Sequence, residues 1–149
     1  MGTFGTGPFS SDGAMDFLEE LAERPPEGRV PALTRMFLFV RDKPELLGRE
    51  YFPDEVVAAA AIVAATLPGG EQFDERLATL ADQELAPEVR LAAPAPDLAP
   101  LALAALKVVA GPWHQGWTNP TDATEARATI ATLSQVLTSG SVDPEGSPR

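Results

Sequence analysis

Apolar residues recur along this chain at helical spacing, and that recurrence limits its fold more than any other feature. Residues at i, i+3, i+4 and i+7 share one face of a 3.6-residue helix, so such a chain buries stripes rather than alternating strand faces. Ala14, Phe17, Leu18 and Leu21 make the first stripe, on a helix predicted from about Asp12 to Glu23. Ser10, Ser11 or Asp12 offers its cap, and Arg24-Pro25-Pro26 ends it. Leu33, Met36, Phe37 and Val40 give a second stripe, on a helix that should open at Pro31 and close at Lys43-Pro44. Leu38 and Phe39 widen it, so this helix is expected to be central and buried on most sides. The run Met36–Val40 also reads as a buried strand; the flanking period favours the helix.

A connector follows with Leu46, Leu47, Tyr51 and Phe52 as apolar anchors. Asp54 should cap a third helix reaching about Thr66. Its Ala58–Ala61 run combines high helix propensity with side chains small enough for a neighbouring helix to come close. Pro68-Gly69-Gly70 is a stop. A fourth helix fits about Gln72–Leu85 with Phe73, Leu77, Leu80 and Ala81 inward, and a short turn is expected after Pro87. Past a proline-rich break, a fifth fits Asp97–Ala110 on Leu98, Leu101, Ala102, Ala105 and Val109, with Gly111 as its C-cap. Pro112-Trp113-His114-Gln115-Gly116-Trp117 then reads as an aromatic loop. The last helix should begin at Thr121 or Asp122, where Asp122 and Glu125 resemble a capping box. Its seam is Ala123, Ala126, Ile130, Leu133 and Leu137. The expected fold class is all-α: an irregular or orthogonal bundle of five to six helices. A Gly/Phe loop over residues 1–10 packs on it through Phe4 and Phe9. Residues 1–138 read as a single helical domain, and 139–149 have the composition of a disordered tail.

Charge and composition narrow the function classes. The chain has no cysteine, so neither disulfides nor thiolate chemistry is available and packing alone must hold the fold. The formal net charge of −11 repels phosphate backbones, so no nucleic-acid partner is expected; such a field suits solubility or a basic partner. No segment reaches the roughly 18–20 uninterrupted apolar residues of a membrane span. The N-terminus lacks the charged-then-apolar pattern of a signal peptide, so a soluble protein of the cytoplasm is expected. Gly2 with Thr6 fits the loose N-myristoylation pattern, which is short and matches often by chance.

The block Met-Gly-Thr-Phe-Gly-Thr-Gly-Pro-Phe, residues 1–9, is the most specific motif. With the polar trio and the Ala14/Phe17 helix behind it, it resembles the bacterial family catalogued as domain of unknown function 4259 (DUF4259). That family shows Met-Gly-x-Trp-Gly-x-Gly-Pro-Phe before an Asp/Asn-rich cap and an acidic amphipathic helix. The Ala-rich third helix and the Trp-containing C-terminal region are similar too, so the resemblance spans about residues 1–138. Phe4 stands where the family has Trp, and Ser10-Ser11-Asp12 replaces a trio richer in Asp and Asn. Both departures favour a helix cap with an aromatic plug over a cation or substrate site. The resemblance implies a fold and no known activity.

Candidate site residues come from two places. Asp16, Glu19, Glu20 and Glu23 fall together on the first helix, where they form either a solvated face or a dock for a basic protein or peptide. Trp113 and Trp117 flank His114, the only histidine; tryptophans enrich recognition hot spots, but they also close cores beneath loops. Gly5-Thr6-Gly7 lacks both the Walker lysine and the Gly-x-Gly-x-x-Gly spacing, so a structural turn is favoured over an anion cradle. A lone histidine without cysteine makes no transition-metal site, and no cofactor or metal is expected; oxygen-liganded calcium or magnesium stays open, although no EF-hand loop is present. The favoured expectation is a non-catalytic acidic interaction protein of the accessory or immunity type. One alternative is a small-molecule or peptide binder with a pocket lined by Trp113, Trp117, Phe4 and Tyr51. Another is an enzyme using His114 with carboxylates, Asp122 orienting the ring.

Overall fold

The apolar run that follows Phe52-Pro53-Asp54-Glu55 determines the architecture. Val56 to Ala64 are all fully buried, nine consecutive residues with no polar face among them. A helix apolar all round has to be enclosed by others. The computed structural model describes residues 9, 12–46, 51–84, 87–91, 96–115 and 120–141; the side chains of Asp12, Pro26, Leu46, Pro96, residues 111–115, Asp122 and residues 140–141 lie outside that description. Among the described residues the fold is all-α, with no β-strand: α1 (Asp12–Ala22), α2 (Pro26–Asp42), α3 (Pro53–Ala64), α4 (Glu71–Asp82), α5 (Ala99–Gln115) and α6 (Pro120–Ser141). Short 3-10 turns occupy Pro44–Leu46 and Pro96–Leu98.

Helix α3 packs against all five other helices. The alanines make that possible, since a methyl side chain lets a neighbouring axis come to the lower end of the roughly 8–10 Å range. The expectation that α2 would be the central helix is therefore corrected. Leu33, Met36, Phe37 and Val40 are buried as the stripe predicts, but Leu38 and Phe39 are only half-buried, and α3 takes the middle. The stripes Ala14/Phe17/Leu18/Leu21 on α1 and Phe73/Leu77/Leu80 on α4 are buried as read from the spacing, while Ala81 is half-buried. On α6, Ala126, Leu133 and Leu137 are buried and joined by Val136; Ala123 and Ile130 are half-buried. Phe9 is buried in the core as expected of an anchor; Phe4 lies outside the described residues.

Several boundaries differ from the sequence reading, each for a local reason. Helix α2 opens at Pro26, not Pro31, with Pro25 extended at its N-cap. Pro26 takes the first helical position, where no N–H is needed. Pro31 sits inside the helix; the carbonyl it leaves without a donor belongs to exposed Glu27, where water can substitute. Helix α3 is capped at Phe52, not Asp54. The Phe52 N–H donates to Glu55 Oε1 at 2.8 Å, the carboxylate half of a capping box, and Pro53 opens the first turn. Gly69 (φ +92°) and Gly70 make the turn into α4, and a Cβ on Gly70 would drive into the Ala64 carbonyl. Helix α4 begins at Glu71 and ends at Asp82, and residues 87–91 form an irregular strap, not a turn, with Val89 buried. Arg90 ties this strap to α4 through Asp74 at 3.7 Å.

Helix α5 continues through Gly111-Pro112 to Gln115. Gly111 is therefore not a cap, and Trp113 and His114 stand on the last turn of a helix, not in a loop. Propensity is a weak signal that packing overrides, and here α5 is held by α6, α3 and α2 together. Pro120 opens α6, so Asp122 lies inside the first turn and is not its cap. The helix reaches Ser141, taking up residues 139–141 of the expected tail; residues 142–149 lie outside the described residues.

Overfilling or emptying the α3 layer should cost stability in proportion to packing. Ala60→Leu should destabilise by about 1–3 kcal/mol through overpacking and Ile62→Ala by about 2–5 kcal/mol through a cavity. Urea midpoints at constant m measure both; a shift near zero for Ala60→Leu would mean that α3 is not enclosed.

Candidate functional site

The burial of α3 pushes its polar start to the edge of the core, beside α1. Gly13 on α1 lets the two meet: a Cβ at Gly13 would stand 3.2 Å from Asp54 Oδ2. The carboxylates at the start of α3 thereby join those of α1. Asp16, Glu19, Glu20 and Glu23 are all exposed, and none forms an ion pair among the described residues. Their i, i+3 and i, i+4 spacing sets like charges against one another, and α1 has no basic residue in its last turn. The like charges on this face repel one another weakly across solvent.

A cleft opens between α1, α2 and the start of α3, with about 100 Å³ of open volume. Phe17 and Leu21 of α1, Ala32, Leu33 and Met36 of α2, and Tyr51 form its apolar lining; Glu20, Arg24 and Glu55 add charge. The ring of Tyr51 meets Phe39 edge-on, centroids 5.5 Å apart and planes 73° apart, which holds the wall beside α2. Lys43 Nζ lies 5.8 Å from the centre of the Phe39 ring. Phe52 is 53% exposed, a large aromatic left in solvent next to the cleft residue Tyr51.

Glu55 is a half-buried carboxylate among like charges. Burial raises its pKa above the ordinary value, the hydrogen bond from the Phe52 backbone opposes the rise, and Glu20, Asp54 and Asp16 add to it by repulsion. The same side chain therefore caps α3 and carries a charge that its surroundings disfavour.

Of the residues singled out from sequence, the structure places Asp16, Glu19, Glu20 and Glu23 on one exposed helix and brings Glu20 into the cleft. Trp113 and His114 are on the last turn of α5 with side chains outside the described residues, and Trp117 lies outside them altogether. The expected pocket of Trp113, Trp117, Phe4 and Tyr51 has one described member, Tyr51, which lines the α1–α2–α3 cleft. Sequence reasoning missed Glu55 and Arg24 as site residues. The only local signal was the acidic pair after Pro53, which the helix start accounted for without a site. Among the described residues no three His, Asp or Glu side chains are grouped to hold a metal ion, and no helix is long and apolar enough to cross a membrane.

Fold and surface together define an all-α protein with one enclosed apolar helix and an acidic, cleft-bearing flank. Residues 2–129 match the family described as Domain of unknown function (DUF4259), and the chain belongs to that family. No curated protein and no solved structure matches it.

The raised carboxyl of Glu55 has a defined sign in stability. The folded chain holds this proton more tightly than the unfolded chain, so the group weakens the fold as pH rises from the ordinary glutamate range, about 4.3, through the raised value. Glu55→Gln keeps an acceptor for the Phe52 N–H and removes the titration. Denaturant stability measured between pH 4 and 7 should show the wild type losing ground to Glu55→Gln as pH rises. An unchanged difference would place the carboxylate in water.

Proposed function

We propose that this protein is a non-catalytic accessory or immunity-type protein of the bacterial cytoplasm that holds a basic protein or peptide on the acidic flank formed by α1. The observation that carries the reading is the set of four exposed carboxylates, Asp16, Glu19, Glu20 and Glu23, none of which forms an ion pair among the described residues. A surface arranged this way loses self-repulsion when a cationic partner docks, and its field steers such a partner before contact. The net charge of −11 adds a long-range term of the same sign. The acids Asp54 and Glu55, brought beside α1 by the packing of α3, extend the flank beyond the helix. Exposed Phe52 next to them offers apolar area of the kind that anchors interfaces. The bacterial cytoplasm is proposed from the family resemblance, from the absence of cysteine, and from the lack of a long apolar helix among the described residues.

Fluorescence anisotropy with a fluorescein-labelled octalysine peptide tests this. Binding should weaken steeply as salt shortens the screening length from about 30 Å at 0.01 M to about 8 Å at 0.15 M. Neutralising Asp16, Glu19, Glu20 and Glu23 together as Asn or Gln should weaken it about tenfold or more, four surface pairs acting in concert. A variant with equal net charge, neutralised at exposed Glu75, Asp82, Glu84 and Asp97, should retain most of the affinity. Equal losses in the two variants, or affinity indifferent to salt, contradict the reading.

A further inference from the structure

We propose that the cleft between α1, α2 and the start of α3 receives the side chain of a single lysine from the basic partner. The inference rests on the reading above and makes it specific: the acidic flank is not only a field but contains one receiving site. Size comes first. The open volume of about 100 Å³ is that of one side chain, well below the roughly 300–1,000 Å³ of pockets that enclose drug-sized ligands. The cleft therefore fits an anchor residue of a larger partner better than a free metabolite.

Chemistry fixes which side chain. Leu21, Leu33 and Met36 offer apolar wall to a hydrocarbon stem. Glu20 and Glu55 offer carboxylates to a cationic tip, and Phe17 and Tyr51 add aromatic rings, whose faces attract ammonium groups. Lysine carries a four-carbon stem that packs on apolar surface while its charged head is held elsewhere. A purely aliphatic side chain would leave half-buried Glu55 uncompensated among like charges. An acidic one would add to the repulsion. Phe52, the next residue in the chain after Tyr51, is exposed.

Arg24 is the one cation in the lining. It occupies the corner between α1 and α2, where a Cβ on Gly28 would stand 3.8 Å from the Arg24 Cβ, and it is exposed. A second cation in the cleft meets repulsion from it, so Arg24 gives the sign of the ligand a direct test.

The full chain, labelled with 15N, is titrated with N-acetyl-lysine methylamide and with N-acetyl-norleucine methylamide, which lacks the charge. The lysine compound should give saturable shifts centred on Glu20, Leu21, Leu33, Met36, Tyr51 and Glu55, and the norleucine compound should not. Glu20→Gln should weaken lysine binding about fivefold, the upper range for one partly exposed ion pair. Glu75→Gln removes the same charge from an exposed position on α4, outside both the cleft lining and the acidic flank, and should leave binding unchanged. Arg24→Gln should tighten it. Shifts absent or spread over the surface, equal binding of norleucine, equal losses in Glu75→Gln and Glu20→Gln, or unchanged or weakened binding in Arg24→Gln would each overturn the proposal. Octalysine bound normally with no localised shift from the lysine compound defeats the cleft alone; octalysine unbound at low salt defeats the acidic-flank reading itself.

Discussion

Enclosure of the apolar helix α3 is the constraint on which the rest of the structure depends. Nine consecutive residues without a polar side chain leave no face that solvent can occupy. Each buried valine or isoleucine contributes about 1.5–3 kcal/mol of transfer free energy, so the run is a large share of the driving force. With no cysteine in the chain, no disulfide adds to that packing. The other helices are then arranged by their obligation to cover α3: α1, α2, α4, α5 and α6 each present an apolar stripe to it. The alanines set how near they come, and Gly69 and Gly70 let the chain turn back immediately at the end of the helix.

The acidic flank follows from that arrangement. A helix apolar along its whole length can carry charge only at its ends, and α3 carries Asp54 and Glu55 at its start. Acidic residues there suit the positive end of the helix dipole. Covering α3 with α1 brings those acids next to a helix already lined with Asp16, Glu19, Glu20 and Glu23. The capping bond from Phe52 to Glu55 stabilises the helix start, while burial and neighbouring carboxylates act against the same charge. Local helix formation and surface electrostatics therefore oppose each other at Glu55, and a cation bound nearby would relieve the conflict.

Much of the fold was legible in the sequence because helical period is a local property. The stripes of α1 and α4 were recovered almost residue by residue and that of α6 in part, and the all-α class with them. The rank of the helices was not legible. Leu38 and Phe39 made α2 look central, whereas the small residues Ala58–Ala61 mark the enclosed helix, since a crowded centre favours short side chains over large ones. Proline and glycine misled in both directions. Pro31 reads as a helix start and Gly111-Pro112 as an end, yet tertiary packing carries α2 and α5 through both. Half of the site was legible: the carboxylates of α1 share a face by spacing alone. Glu55, Tyr51 and Arg24 join them only through the contact of α1 with α2 and α3, which no periodicity encodes.

Hydrogen exchange resolved along the chain addresses the central claim most directly. Amides that open only when the whole protein unfolds report the global stability, whereas peripheral elements exchange through smaller openings. Under native conditions the amides of Val57–Ala64 should be the slowest in the chain, with an opening free energy equal to that of global unfolding by denaturant. Faster exchange there than in α1 or α4 would show that α3 is not the enclosed centre, and the account built on it would fail.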